Sequence, residues 1–204
     1  MADDPIQVVR AFLGAGRGKQ LTTSHLNADG SLQESLSDLV AQVNAATGRT
    51  DVTADAVGMS RVSASEHAGA SQTEKAAIQW VLKNDAAAHG WSIEKAITVN
   101  PGTLGTQAGR RYSTAGDGDG RPFGREIHED DLAVAEAINA GTIADPTSGA
   151  TKFIHWTGYD SFTDFLDGHP AVQAWTKSGL VPQSLPGCST LIVFTQTPSQ
   201  AAAT

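Results

Sequence analysis

Glu66, in Ser65-Glu66-His67-Ala68, and the run Asp145-Pro146-Thr147-Ser148-Gly149-Ala150-Thr151-Lys152-Phe153 are the parts of this chain whose residue types could carry chemistry. A glutamic acid kept protonated by apolar surroundings can give a proton to a leaving oxygen. Glu66 fits that role. It ends a segment with Val57 and Val62 facing inward, and the turn Gly69-Ala70 follows it. By residue type alone it reads more readily as a solvated surface glutamate. Hydrolysis with two carboxylates needs a second acid about 5–9 Å from the first. Asp117, Glu126, Glu129 and Asp145 are the choices, and none has a convincing context. Asp145 is better explained as a turn former: the Pro146 ring pushes it out of the helical region, and its carboxylate can accept from backbone N–H groups.

Other chemistries find less support. The histidines, His25, His67, His89, His128, His155 and His169, show no His-x-x-x-His pair, so no metal site is expected. No Gly-x-Ser-x-Gly occurs, and the single cysteine, Cys188, stands just ahead of an apolar run and reads as structural. One cysteine also excludes an internal disulfide. Gly14-Ala15-Gly16-Arg17-Gly18 is a loop, but without a following Gly-Lys-Ser/Thr it is not a phosphate cradle.

Four stations stand in a recognisable order: Glu66-His67-Ala68, Trp80-Val81-Leu82-Lys83-Asn84-Asp85, Thr106-Gln107, and Asp145 to Thr151. Over residues 60–160 this order and spacing resembles the SleB-like cell wall hydrolases, which cleave the glycan of peptidoglycan. The chain departs from that pattern at His67, which follows the glutamate, at Asp85 in place of Arg, at Ala108 in place of an aromatic, and at Ser148 in place of Gly. The resemblance implies cleavage of the MurNAc-GlcNAc bond by a lytic transglycosylase, without a cofactor. The sugar's own 6-hydroxyl attacks the anomeric carbon, and one glutamate, here Glu66, serves as acid and then as base. It also implies that Gln107 hydrogen-bonds the glycan, with Thr147, Thr151 and Phe153 lining the opposite wall. Tyr112 and Trp156 could stack on sugar faces, although aromatics beside strands usually belong to a core. The alternative reading is a non-catalytic structural or wall-binding component of a phage tail or injection particle, to which the departures at His67, Asp85 and Ala108 point.

Bulk properties narrow the partners. A formal charge of −8 over 204 residues leaves a nucleic-acid role without an electrostatic footprint. No apolar run approaches the roughly 20 residues that a membrane span needs. Met1-Ala2-Asp3-Asp4-Pro5 lacks the basic and apolar regions of a signal peptide. The expected chain is therefore made in the cytoplasm and reaches peptidoglycan through lysis, a phage particle or an injection apparatus.

The elements that must position these residues are mostly helical. Ser31 to Ala46 places Leu32, Leu36, Leu39, Val40 and Val43 on one face, and Gly48 ends it. Helices are expected from Ala54 to Ala68 and from Ser71 to His89, the second opened by the capping box Ser71-Gln72-Thr73-Glu74 and stopped by Gly90. Further short helices are expected over Trp91–Ile97, Asp130–Ala140, Ser161–Leu166 and Pro170–Lys177. Strands are expected over Thr151–Thr157 and Leu191–Phe194, the latter buried. Pro101 to Phe123 holds six glycines and reads as loop. Arg110 or Arg111 could there meet a carboxylate of the peptide stem as a flap closes over glycan, or the segment is a plain solvated loop. The sum is a helix-dominated α+β domain with one small antiparallel sheet, of lysozyme-like plan. Residues 1–50 are expected as an accessory segment, 51–196 as the main domain and 197–204 as a tail.

Overall fold

The three longest helices described each begin at a side chain that satisfies a first free N–H group. In the computed structural model, which describes residues 6–7, 9, 16–23, 35–67, 69–98, 126–156, 159–189 and 191–196, α1 spans Leu36–Thr47 behind Ser35. Its capping box is closed by Asp38, and Gly48 ends it at φ 70°. Thr53 caps α2, Ala54–Glu66. Ser71 and Glu74 close the expected box at the start of α3, Gln72–His89, and Gly90 ends that helix in the left-handed region. The short α4 covers Ile93–Thr98, with Ser92 Oγ accepting from the Lys95 amide at 3.1 Å. Helix α5 is Glu129–Asn139.

The C-terminal third adds β1 (Lys152–His155), α6 (Phe162–Gly168), α7 (Pro170–Lys177), β2 (Leu180–Ser184) and β3 (Leu191–Gln196). The three strands form one antiparallel sheet in the order β1-β3-β2, so β3 is central. Phe153 stands opposite Val193 and Ile154 opposite Ile192. The protein is thus a helix-dominated α+β fold with one small antiparallel sheet.

Alternation along β3 divides the apolar interior in two, because successive strand side chains point to opposite faces. Leu191 and Val193 join the larger core with α1–α5, whereas Ile192 and Phe194 join a smaller one with Phe165 of α6 and Val172 of α7. The sheet therefore lies between the helical bundle and the α6–α7 pair.

Two parts of the fold differ from the sequence reading. Leu21, Leu36, Leu39 and Val43 pack in the same core as α2–α5, so position 50 does not separate an accessory segment from the domain. The physical reason is that the apolar stripe of α1 has its burial partners on α2. Strand β2 was not expected, since Pro182 interrupts it. A proline lacking an N–H is tolerated here because β2 is an edge strand.

Candidate active site around Glu66

Helix α2 is buried on every side from Ala56 to Ser65, as befits a helix surrounded by others rather than laid on a surface. Small residues make that possible. A Cβ at Gly58 would lie 2.9 Å from Cγ2 of Ile93, so α4 crosses α2 where no side chain intervenes. Burial ends at Glu66, which is half-buried at the helix's last position. The helix thus delivers one carboxylic acid from the interior to its open end.

His67 follows as the C-cap at φ −152°, its amide still bonded to the Ser63 carbonyl at 3.1 Å. Its ring meets that of His155 on β1 edge to face, with centroids 4.8 Å apart. Phe153 packs edge-on against the same His155 ring at 6.2 Å. Phe153 and His155 share a strand face, so β1 stands as an aromatic wall beside the turn that carries Glu66. No part of the sequence reading foresaw His155 here. Its position two residues after Phe153 is the signal that could have found it.

The late motif folds around Asp145. One of its oxygens accepts from the Thr147 amide at 2.7 Å and the Thr147 hydroxyl at 2.6 Å. The other accepts from the Gly149 amide and from Asn84 Nδ2, each at 2.9 Å. Partial burial pushes the Asp145 carboxyl up, but the donors on Thr147, Asn84 and Gly149 outweigh it and hold the group below the usual carboxylate range. Asn84 also donates to the Ala150 carbonyl at 3.2 Å. The second and fourth stations of the sequence pattern are therefore bonded together.

The sequence-expected glycan contacts divide. Phe153 lies on the wall beside His67. Thr151 is half-buried, and its amide bonds to the Phe194 carbonyl at 3.3 Å. Thr147 is fully buried with its hydroxyl turned to Asp145, which makes it a turn-closing residue and leaves no surface for a ligand. Trp156 belongs to the smaller core and packs against Phe162 at 6.0 Å. It lies across the sheet from Phe153, because even and odd positions of β1 face opposite layers. One wall cannot hold both. Gln107, Tyr112 and the arginines of the glycine-rich segment lie outside the described residues.

A second polar centre went unread in the sequence. Lys75 of α3 is fully buried and meets Asp130 at 2.5 Å and Asp131 at 2.8 Å, both on α5. Arg17 adds 2.9 Å to Asp131 and 3.9 Å to Asp130. Gln79 donates to Ser63 Oγ at 2.9 Å and to the Asp131 carbonyl at 3.0 Å. Lys75 shares the spacing of Ile78 and Leu82, so its place on the apolar stripe was the available signal.

Among the described residues no three His, Cys, Asp or Glu side chains are grouped as metal ligands. Burial, aided by the charge of Glu74, pushes the Cys188 thiol up to about 11, which leaves it unreactive at neutral pH. Among the described residues no helix is long and apolar enough to cross a membrane. No family model, curated protein or solved structure matches the chain.

Proposed function

We propose that this protein cleaves the MurNAc-GlcNAc bond of peptidoglycan glycan strands as a lytic transglycosylase, with Glu66 as the single acid/base. The observation that carries the reading is the position of Glu66, at the half-buried end of a helix buried from Ala56 to Ser65 and next in sequence to His67, whose ring packs on His155 of the Phe153–His155 wall. A carboxyl group half withdrawn from water is suited to hold a proton until the leaving oxygen needs it. Bond cleavage gives that proton to the departing GlcNAc oxygen. The 6-hydroxyl then closes on the anomeric carbon, and Glu66 recovers a proton from it. No water is consumed.

Four other described carboxylates, Asp145, Glu129, Asp130 and Asp131, are engaged elsewhere, which favours a one-glutamate route. Asp145 is held by four donors, and Glu129 accepts from the Lys19 amide at 2.9 Å. Asp130 and Asp131 are committed to Lys75 and Arg17. None of these is free to activate a water molecule.

Incubation with purified sacculi followed by mass spectrometry tests the proposal. Anhydro ends lie about 18 Da below the hydrolytic products, because the intramolecular attack adds no water. Glu66→Gln is expected to abolish these fragments with an almost unmoved thermal transition. Reducing ends would indicate hydrolysis instead, and free peptides would indicate an amidase. Intact sacculi from several bacterial sources, with the protein bound tightly to a particle, would leave a non-catalytic particle component as the function.

A further inference from the structure

Residues 17–23 run antiparallel to 126–130 and fasten the start of α5. Leu21 donates to the Ile127 carbonyl at 2.7 Å, Glu129 to that of Lys19 at 3.0 Å and Asp130 to that of Arg17 at 3.1 Å. Gln20 pairs with His128 in an isolated bridge. The same segment reaches α1, through Lys19 Nζ to the Ala46 carbonyl at 2.8 Å and the Thr23 amide to Gln42 at 3.0 Å. Most of these bonds are backbone or surface contacts of ordinary strength. Arg17 differs, because its guanidinium reaches a buried ionic centre from a partly exposed position, its side chain being 31% exposed.

The charges explain why it is needed. Asp130 and Asp131 are both buried, and Lys75 offers one positive charge to the two. Deleting the Arg17 cation would take away one of the two cations bonded to this buried carboxylate pair, which is a costly change. We propose that residues 17–23 are a releasable strap latched by Arg17, and that its release loosens the last turn of α2, on which Glu66 stands. The path to α2 is short. Asp131, the carboxylate nearest Arg17, is tied to Ser63 through Gln79, whose Nε2 donates to the Asp131 carbonyl at 3.0 Å and to Ser63 Oγ at 2.9 Å, and the Ser63 carbonyl holds the His67 amide at 3.1 Å. The effect on Glu66 chemistry rests on the functional reading above, whereas the strap and its latch do not.

The latch is linked to protons. The charged groups around Asp130 are Lys75 from α3, Arg17 from the strap, and Asp131 and Glu129 on its own helix. His128 precedes that helix, and α2 contributes buried Arg61 two residues from Ser63. Burial and the charge of Asp131 push the Asp130 carboxyl up, against the pull of Lys75 and Arg17. If the cation of Arg17 is deleted, a proton on Asp130 removes one of the two carboxylates that Lys75 must hold.

Hydrogen exchange on the full chain, compared at equal pH between wild type and variants, tests this without any glycan. Arg17→Gln at neutral pH is expected to speed exchange of the Leu21 and Glu129 amides at least tenfold and of the His67 amide several-fold. Trp91, whose amide bonds to Ala86 at 2.9 Å far from the strap, should not change. The excess is expected to shrink on acidification as Asp130 takes up its proton. Arg17→Lys, which keeps the charge, should stay within about threefold of wild type. Equal exchange in Arg17→Gln and wild type would overturn the latch, as would an excess that does not depend on pH. Loss of protection throughout, Trp91 included, would show the strap to be inseparable from the core and would also overturn it. Because no outcome involves sacculi, failure here is distinguishable from failure of the glycan reading.

Discussion

Asn84 Nδ2 lies 2.9 Å from Asp145 Oδ2, so the middle of α3 holds the loop that leads into β1. The same amide reaches Thr147 Oγ1 at 3.3 Å and the Ala150 carbonyl at 3.2 Å. Asn84→Ala removes these donors from the buried Thr147 hydroxyl and Ala150 carbonyl and from half-buried Asp145. The expected loss is about 1–3 kcal/mol, read from denaturant unfolding. Asn84→Asp should do worse at neutral pH, where it sets a second carboxylate against Asp145, and should recover part of the loss in acid. An unchanged midpoint for Asn84→Ala would show that Asn84 does not clamp the loop.

Asp145 gives the protein a defined acid sensitivity. Its folded carboxyl titrates below the ordinary value of 3.8, so its contribution is complete above that value. It is lost as pH falls through the folded one. The stability gap between wild type and Asp145→Asn should therefore be flat above about pH 5 and narrow below about pH 4. Paired thermal melts across that range check the sign. A gap that widens in acid would contradict it.

Ser148 has φ 54°, the one non-glycine residue at positive φ among those described. The left-handed region costs an L-residue roughly 1–2 kcal/mol, which glycine avoids at the cost of a freer unfolded chain. Ser148→Gly should stabilise by about 0.5 kcal/mol and Ser148→Val should destabilise by more than about 1 kcal/mol. Opposite signs for the two substitutions are the discriminating result in chemical unfolding.

Gly58 faces a tight crossing. Alanine there gains helix propensity of about 1 kcal/mol, but its methyl would sit 2.9 Å from Ile93 Cγ2. Overpacking of that kind costs about 1–3 kcal/mol, so Gly58→Ala is expected to destabilise. In Gly58→Ala/Ile93→Ala the new methyl occupies the vacated space, and the double variant should be more stable than the sum of the singles. Strict additivity would deny the contact.

Helix ends were legible because their signals are local. Ser71, Gly48 and Gly90 act within one turn of where they stand, whereas the start expected at Ser31 falls instead behind the cap Ser35. The buried character of β3 was legible from four consecutive apolar residues. Strand β2 was not, since Leu180-Val181-Pro182-Gln183-Ser184 has neither alternation nor a free amide at Pro182, and its pairing is supplied by β3 alone. Glu129-Asp130-Asp131 reads as a solvated acidic first turn, yet Lys75, more than fifty residues earlier, draws two of the three inside. Trp156 misled for a related reason. Its type fits a sugar platform, and only the pleat of β1 sends it to the far side of the sheet.

The partition made by β3 also bears on synthesis. Its side chains close both cores, Leu191 and Val193 on one side and Ile192 and Phe194 on the other. A ribosome adds residues from the N-terminus onward, so neither interior can be completed until the chain has been extended through position 194. During elongation both apolar layers stay open together, and β1 has no partner to its free edge. The nascent chain is therefore most exposed to aggregation until β3 has been added.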